Sequence, residues 1–126
     1  MKWISPLVTL LFVLGSVGPA NAVPAPQDVV MYEVNLRAFS QAGDLDGVTA
    51  RLDNIQALGA NVLWLMPIHP VGQINSAGGL GSPYSVQNYG QVSPEYGSLA
   101  DLTNLIDEAH NRGMYVLMDW VANHTA

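Results

Sequence analysis

Three short apolar runs, each separated from the next by a stretch with helical spacing, restrict this chain to a narrow set of folds. Val62-Leu63-Trp64-Leu65-Met66 is nearly continuous in apolar character and is ended by Pro67. Such a run suits a strand covered on both faces, as parallel sheets require. Met114-Tyr115-Val116-Leu117-Met118 is a second run, with Asp119 at its far end. Earlier in the chain, Val29 to Leu36 is rich in β-branched and apolar residues and reads as the first strand. Between the first two runs, Val48, Leu52, Ile55 and Leu58 place one apolar stripe on a helix that Gly59 can stop. Between the last two, Leu99, Leu102, Leu105, Ile106 and Ala109 form an apolar face. Ser98 and Asp101 suit a capped start for that helix, and Arg112-Gly113 suits its end. The order strand, helix, strand, helix, strand predicts parallel strands and right-handed βαβ units. A doubly wound sheet and a TIM barrel both satisfy this order.

Composition removes several classes of function. The chain of 126 residues is 49% apolar, enough for one small core, and contains no cysteine. Disulfide staples, thiolate zinc sites and cysteine nucleophiles are therefore excluded. The formal net charge is -6, and Lys2, Arg37, Arg51 and Arg112 are the firm cations. Nothing resembles the basic stripe that a phosphate backbone demands, so nucleic acid is not an expected partner. No G-x-G-x-x-G follows the first strand. Gly78-Gly79-Leu80-Gly81 lies within a long loop rather than at a strand-to-helix turn, which argues against a dinucleotide site.

The N-terminus carries an address. Met1-Lys2 gives a short positive start, Ile4 to Val17 is mostly apolar, and Ala20-Asn21-Ala22 forms an A-x-A cleavage pattern. The apolar run is short for a membrane span, and a buried helix or an anchor is the alternative. The expectation is a signal peptide over 1–22, cleaved after Ala22, leaving no stable membrane anchor. Export without cysteine points to a secreted or periplasmic bacterial protein.

In parallel α/β folds, ligands meet the carboxyl ends of the strands. Asp119-Trp120-Val121-Ala122-Asn123-His124 falls just beyond the third run. A carboxylate and an imidazole can grip vicinal sugar hydroxyls, and an amide oxygen suits calcium. A capping aspartate with an exposed histidine is the plainer alternative. Residues 68–97 form a long stretch rich in Gly, Pro, Ser and Asn, a length uncommon in compact domains unless it is functional. Within it, Tyr84 and Tyr89 could stack on a pyranose ring or cover the rim of the core. His69 could line a cleft, though packing at a strand end suits it better.

Several segments together resemble one family. Tyr32 to Ser40 is similar to the opening strand of the α-amylase family, glycoside hydrolase family 13. Leu58 to Ile68 resembles its first helix end and second strand. Pro83 to Tyr89 and Ser93 to Ser98 resemble the loop before its second helix. Asp107 to Gly113 and Met118 to His124 complete the likeness, the latter matching the family's D-x-x-x-N-H region. The resemblance runs from Val30 to Ala126, five segments in order. Ser85 and Asn88 stand where many members carry acidic residues. The stretch from Gln41 to Gly47 is shorter than the acidic metal-binding loop of some relatives, and no metal is expected there.

The resemblance implies an α/β fold, namely the first three strands and two helices of a (β/α)8 TIM barrel, with 23–126 as the N-terminal portion of the catalytic barrel. It implies a secreted retaining glycosidase acting on α-glucosidic bonds, with an α-glucan or maltooligosaccharide as partner. Tyr84, Asp119 and His124 take substrate-binding roles by this likeness, and Asn123 that of a calcium ligand, making calcium the candidate cofactor. The family's nucleophile and acid/base follow its fourth and fifth strands. No catalytic residue is therefore assigned in this chain, which is expected to be inactive alone. A non-catalytic secreted carbohydrate-binding remnant is the alternative.

Overall fold

The computed structural model describes residues 23–76 and 78–126; the expected signal peptide, 1–22, lies outside the described residues. Three parallel strands form the sheet: β1 (Met31–Val34), β2 (Val62–Leu65) and β3 (Tyr115–Met118), in the order β1-β2-β3. Val34 is level with Leu65, and Leu65 with Met118, so the three carboxyl ends share one rim. The expected parallel topology is present. No helix among the described residues is long and apolar enough to cross a membrane.

The first strand is shorter than Val29–Leu36, for reasons visible at both ends. The Val30 amide donates to Asn61 Oδ1 (2.9 Å), while the Asn61 amide donates to the Asp28 carbonyl (2.7 Å). This side chain pins the chain entering β1. Beyond Asn35 the backbone turns into one helical turn, α1 (Leu36–Phe39), which drives Leu36 into the core.

The single helix expected before β2 is instead two, α2 (Leu45–Thr49) and α3 (Leu52–Ala57). The polar loop thus ends at Asp44, whose carboxylate accepts from the Gly47 amide (2.8 Å) and caps α2. Arg51 leaves the helical region at φ -118°, ψ 10°, and its guanidinium lies 5.7 Å from the Phe39 ring centre. The apolar stripe survives this break: Val48, Leu52 and Ile55 are buried. Leu58 is not, at 68% exposed, because α3 has already ended.

The last helix, α4 (Leu99–Asn111), follows its expected signals closely. Ser98 Oγ accepts from the Asp101 amide (3.3 Å), and Asp101 Oδ2 accepts from the Ser98 amide (2.7 Å). These are the two reciprocal bonds of a capping box. Hydrogen bonds from the Ser98 hydroxyl and then its backbone hold the Asp101 carboxyl below the usual range. Gly113, at φ 74°, ends the helix in the left-handed region. Leu102, Leu105 and Ala109 are buried, but Leu99 is 70% exposed, since it opens the first turn ahead of the buried stretch.

The helices cover one face of the sheet. Val34, Leu63 and Leu65 point into a core shared with Leu45, Leu52 and Leu105. Alternate residues face the other way. On that face Met31 and Leu117 are half-exposed, and Glu33 is exposed.

Candidate functional site

The site is built where strand direction places it. Asp119 follows β3 directly, and its amide donates to the Leu65 carbonyl (2.9 Å), extending the ladder by one residue. The carboxylate therefore starts from a fixed point at the shared rim. Residues 68–97 rise from the end of β2 and fold back over this rim. They are packed rather than loosely draped: Val71 pairs with Val86 in an isolated antiparallel bridge, and Ile68, Val86 and Tyr96 are buried.

Three of the expected site residues meet. The Tyr84 hydroxyl hydrogen-bonds the Asp119 carboxylate. His124 Nε2 lies 3.2 Å from the Tyr84 carbonyl oxygen. A carbonyl only accepts, so this contact requires the proton on Nε2. Asn123 Nδ2 lies 3.4 Å from His124 Nδ1, a donor against the nitrogen that a neutral Nε2–H ring leaves as an acceptor. Burial, the hydrogen bond to Asp119, the charge of Asp119 and the charge of Glu33, in that order, push the Tyr84 phenol above its ordinary pKa. The phenol is thus a neutral donor beside a carboxylate. A neutral donor, an anionic acceptor and an imidazole N–H around one aromatic ring can bind vicinal hydroxyls and the apolar face of a pyranose.

The remaining loop residues divide between bracing and lining. Tyr89 is a brace: its hydroxyl reaches the Val121 carbonyl and the His124 carbonyl (3.2 Å). Its ring meets His69 edge-on at 5.3 Å. His69 is packed, as its position suggested, with Nδ1 donating to the Gln91 carbonyl (2.9 Å). A groove of about 540 Å³ runs beside Tyr89 and the segment from Trp120 to Thr125. Tyr84 and Asp119 flank this groove rather than lining it, so the side-chain contacts define the site better than the void does.

For a metal, the residues present offer one donor rather than a cage. Among the described residues no group of three or more histidine or acidic side chains could hold an ion. Asn123 contributes a single amide oxygen, and calcium takes about six to eight oxygens.

Sequence reasoning missed two groups. Glu33 lies close enough for its charge to act on Tyr84. Arg37 and Glu95 pair across 58 residues, Nε to Oε1 at 2.5 Å and Nη2 to Oε2 at 2.9 Å. An arginine at the exit of β1 and a glutamate in a polar loop were the available signals, and neither named the other.

A parallel βα sheet with a hydroxyl-binding cluster at its carboxyl rim defines the architecture of a TIM-barrel carbohydrate enzyme. The chain belongs to the α-amylase family: the family model for the alpha-amylase catalytic domain matches residues 25–126. A crystal structure of an alpha-amylase from Lactobacillus plantarum is similar at a TM-score of 0.77 and 48% identity, over 79% of this chain and 24% of that one. The alpha-amylase of Streptomyces lividans is 43% identical over 75% of this chain and 11% of its own length. A probable oligo-1,6-glucosidase of Bacillus subtilis is 36% identical over 79% of this chain and 18% of its own. The chain spans less than a fifth of the length of the curated relatives it matches. The strands and helices described here are the first three βα steps of the barrel in these structures.

Proposed function

We propose that the natural protein carrying this chain is a secreted, retaining glycoside hydrolase that cleaves α-glucosidic bonds in starch-like glucans. In this reading 1–22 is a signal peptide cleaved after Ala22, and 23–126 is the N-terminal portion of the catalytic barrel. Tyr84, Asp119 and His124 hold one sugar of the substrate. The observation that carries the reading is the joining of Tyr84, Asp119 and His124 at the strand ends.

Bond cleavage with retention needs two carboxyl groups about 5 Å apart, a nucleophile and an acid/base. Several acids of this chain are committed elsewhere: Glu95 to Arg37, Asp53 and Glu108 to Arg112, and Asp44 and Asp101 to helix caps. Asp119 is engaged with the tyrosine in the manner of a sugar acceptor. The catalytic pair is therefore assigned to residues outside this chain, and the chain by itself is expected to be inactive. Asn123 would hold calcium only together with oxygens from elsewhere in the natural protein, and no step is routed through that ion.

The test is kinetic. In the full-length natural protein acting on maltotetraose, Tyr84→Ala and Asp119→Asn are each expected to lower kcat/KM by about tenfold to a hundredfold. That range corresponds to a lost hydrogen bond to a charged group. Proton NMR of the first product should show the α-anomer. Unchanged kinetics in both variants, or a β-anomer released first, would sink the reading.

A further inference from the structure

We propose that Arg37, working through Glu95, is a positioning residue for Tyr84, a role that rests on reading Tyr84 as a sugar contact. Arg37 leaves the chain at the first turn after β1, yet its partners all lie in the loop between β2 and α4. The fork takes both oxygens of Glu95, at 2.5 and 2.9 Å. Its two outer nitrogens also donate to the carbonyls of Gly81 (2.7 Å) and Leu80 (3.1 Å). The guanidinium centre lies 5.9 Å from the ring of buried Tyr96. One side chain thus grips the loop on both flanks of Tyr84.

Tyr84 follows Gly81 by three residues, so fixing the Gly81 carbonyl limits where the tyrosine can stand. Gly81 is itself confined. Its φ is 67°, and an added Cβ would meet Ser76 Oγ at 2.6 Å and Val71 Cγ1 at 2.9 Å. The backbone is therefore wedged from behind by Ser76 and Val71 and held from in front by the fork. The Arg37 side chain is only 19% exposed, so water competes poorly for its donors. Lysine would keep the charge but lacks the planar fork that serves Glu95 and two carbonyls together.

The rival role is plain stabilisation, and a mutant cycle separates the two. In the full-length natural protein, KM and kcat on maltotetraose are compared for Arg37→Lys, Glu95→Gln, Tyr84→Ala and the double variant Arg37→Lys/Tyr84→Ala. Ser98→Ala serves as a destabilised control remote from the loop. Arg37→Lys and Glu95→Gln are each expected to raise KM about tenfold with a smaller change in kcat, as lost uniform binding does. Arg37→Lys should add nothing once Tyr84 is gone, because it acts through that residue. Amide exchange at 82–85 should quicken at least tenfold in Arg37→Lys, a change Ser98→Ala should not produce. A KM within twofold of the parent, or an Arg37→Lys effect undiminished in the Tyr84→Ala background, overturns the proposal. If Tyr84→Ala itself leaves KM unchanged, the sugar role of Tyr84 falls and takes this inference with it. If Tyr84→Ala is damaging while Arg37→Lys is neutral, only the Arg37 role is lost.

Discussion

At the residue scale, the contact between Tyr84 and Asp119 depends on one group keeping its proton and the other its charge. The Tyr84 phenol is raised first by burial and then by the carboxylate. A raised acid holds its proton more tightly when folded. Its contribution to stability is therefore complete below the unfolded value, near pH 10, and is lost as pH rises through the folded value. Through the neutral range Tyr84 remains a donor. Asp119→Asn should bring the Tyr84 titration partway back toward the ordinary value, because burial, the larger cause, remains. Carbon NMR of labelled tyrosine ring carbons can follow this, and an unmoved titration would show that the two side chains do not touch. Tyr84, Asp119 and His124 were legible because each sits inside a short motif that names its neighbours. Arg37 with Glu95, and Tyr89 with Val121, were not. Their partners lie 58 and 32 residues away, where local spacing carries no information.

At the scale of single elements, α4 shows how a helix is written completely in local residues. Its cap, apolar face and left-handed glycine stop are all read within 16 positions, Ser98 to Gly113. Ser98→Ala is expected to cost about 1 kcal/mol of stability, measured by denaturant unfolding of the full-length protein. The carboxyl of Asp101 is lowered by that cap. Its stabilising effect is thus present above the unfolded value near 3.9 and lost as pH falls through the folded one. Acid titration of Ser98→Ala should accordingly be flatter than that of the parent. The crossover from β1 to β2 was less legible. The 3.6-residue period runs straight through Ala50 and Arg51, whereas the backbone breaks there to let Arg51 bond the Phe39 carbonyl (3.2 Å). A tertiary contact overrode a local rhythm. Gly47 marks a similar constraint: an added Cβ would lie 2.1 Å from Ser40 Oγ. Gly47→Ala should force Ser40 aside and lower stability, and an unchanged midpoint of unfolding would show that the turn yields freely.

At the scale of the whole molecule, the described sheet has helices on one face only. Met31 and Leu117 are half-exposed on the other face, Trp120 is 72% exposed just beyond β3, and β1 and β3 each have one neighbour among the described residues. Open parallel edges and an uncovered apolar face favour association between chains. Residues 23–126 prepared alone are expected to self-associate, with light scattering that grows with concentration. A cooperative thermal transition independent of concentration would contradict this. The fold class was legible at this scale because alternating runs and crossovers leave few topologies, while closure of a barrel is a property of all its strands together. One consequence follows for anyone recombining such proteins. The guanidinium that steadies the tyrosine loop is encoded before α2, far upstream of the loop it serves. A chimera with its crossover between α1 and β2 would import the loop and leave its anchor behind. Grafts of residues 68–97 should therefore succeed only in hosts that already carry arginine at the exit of the first strand.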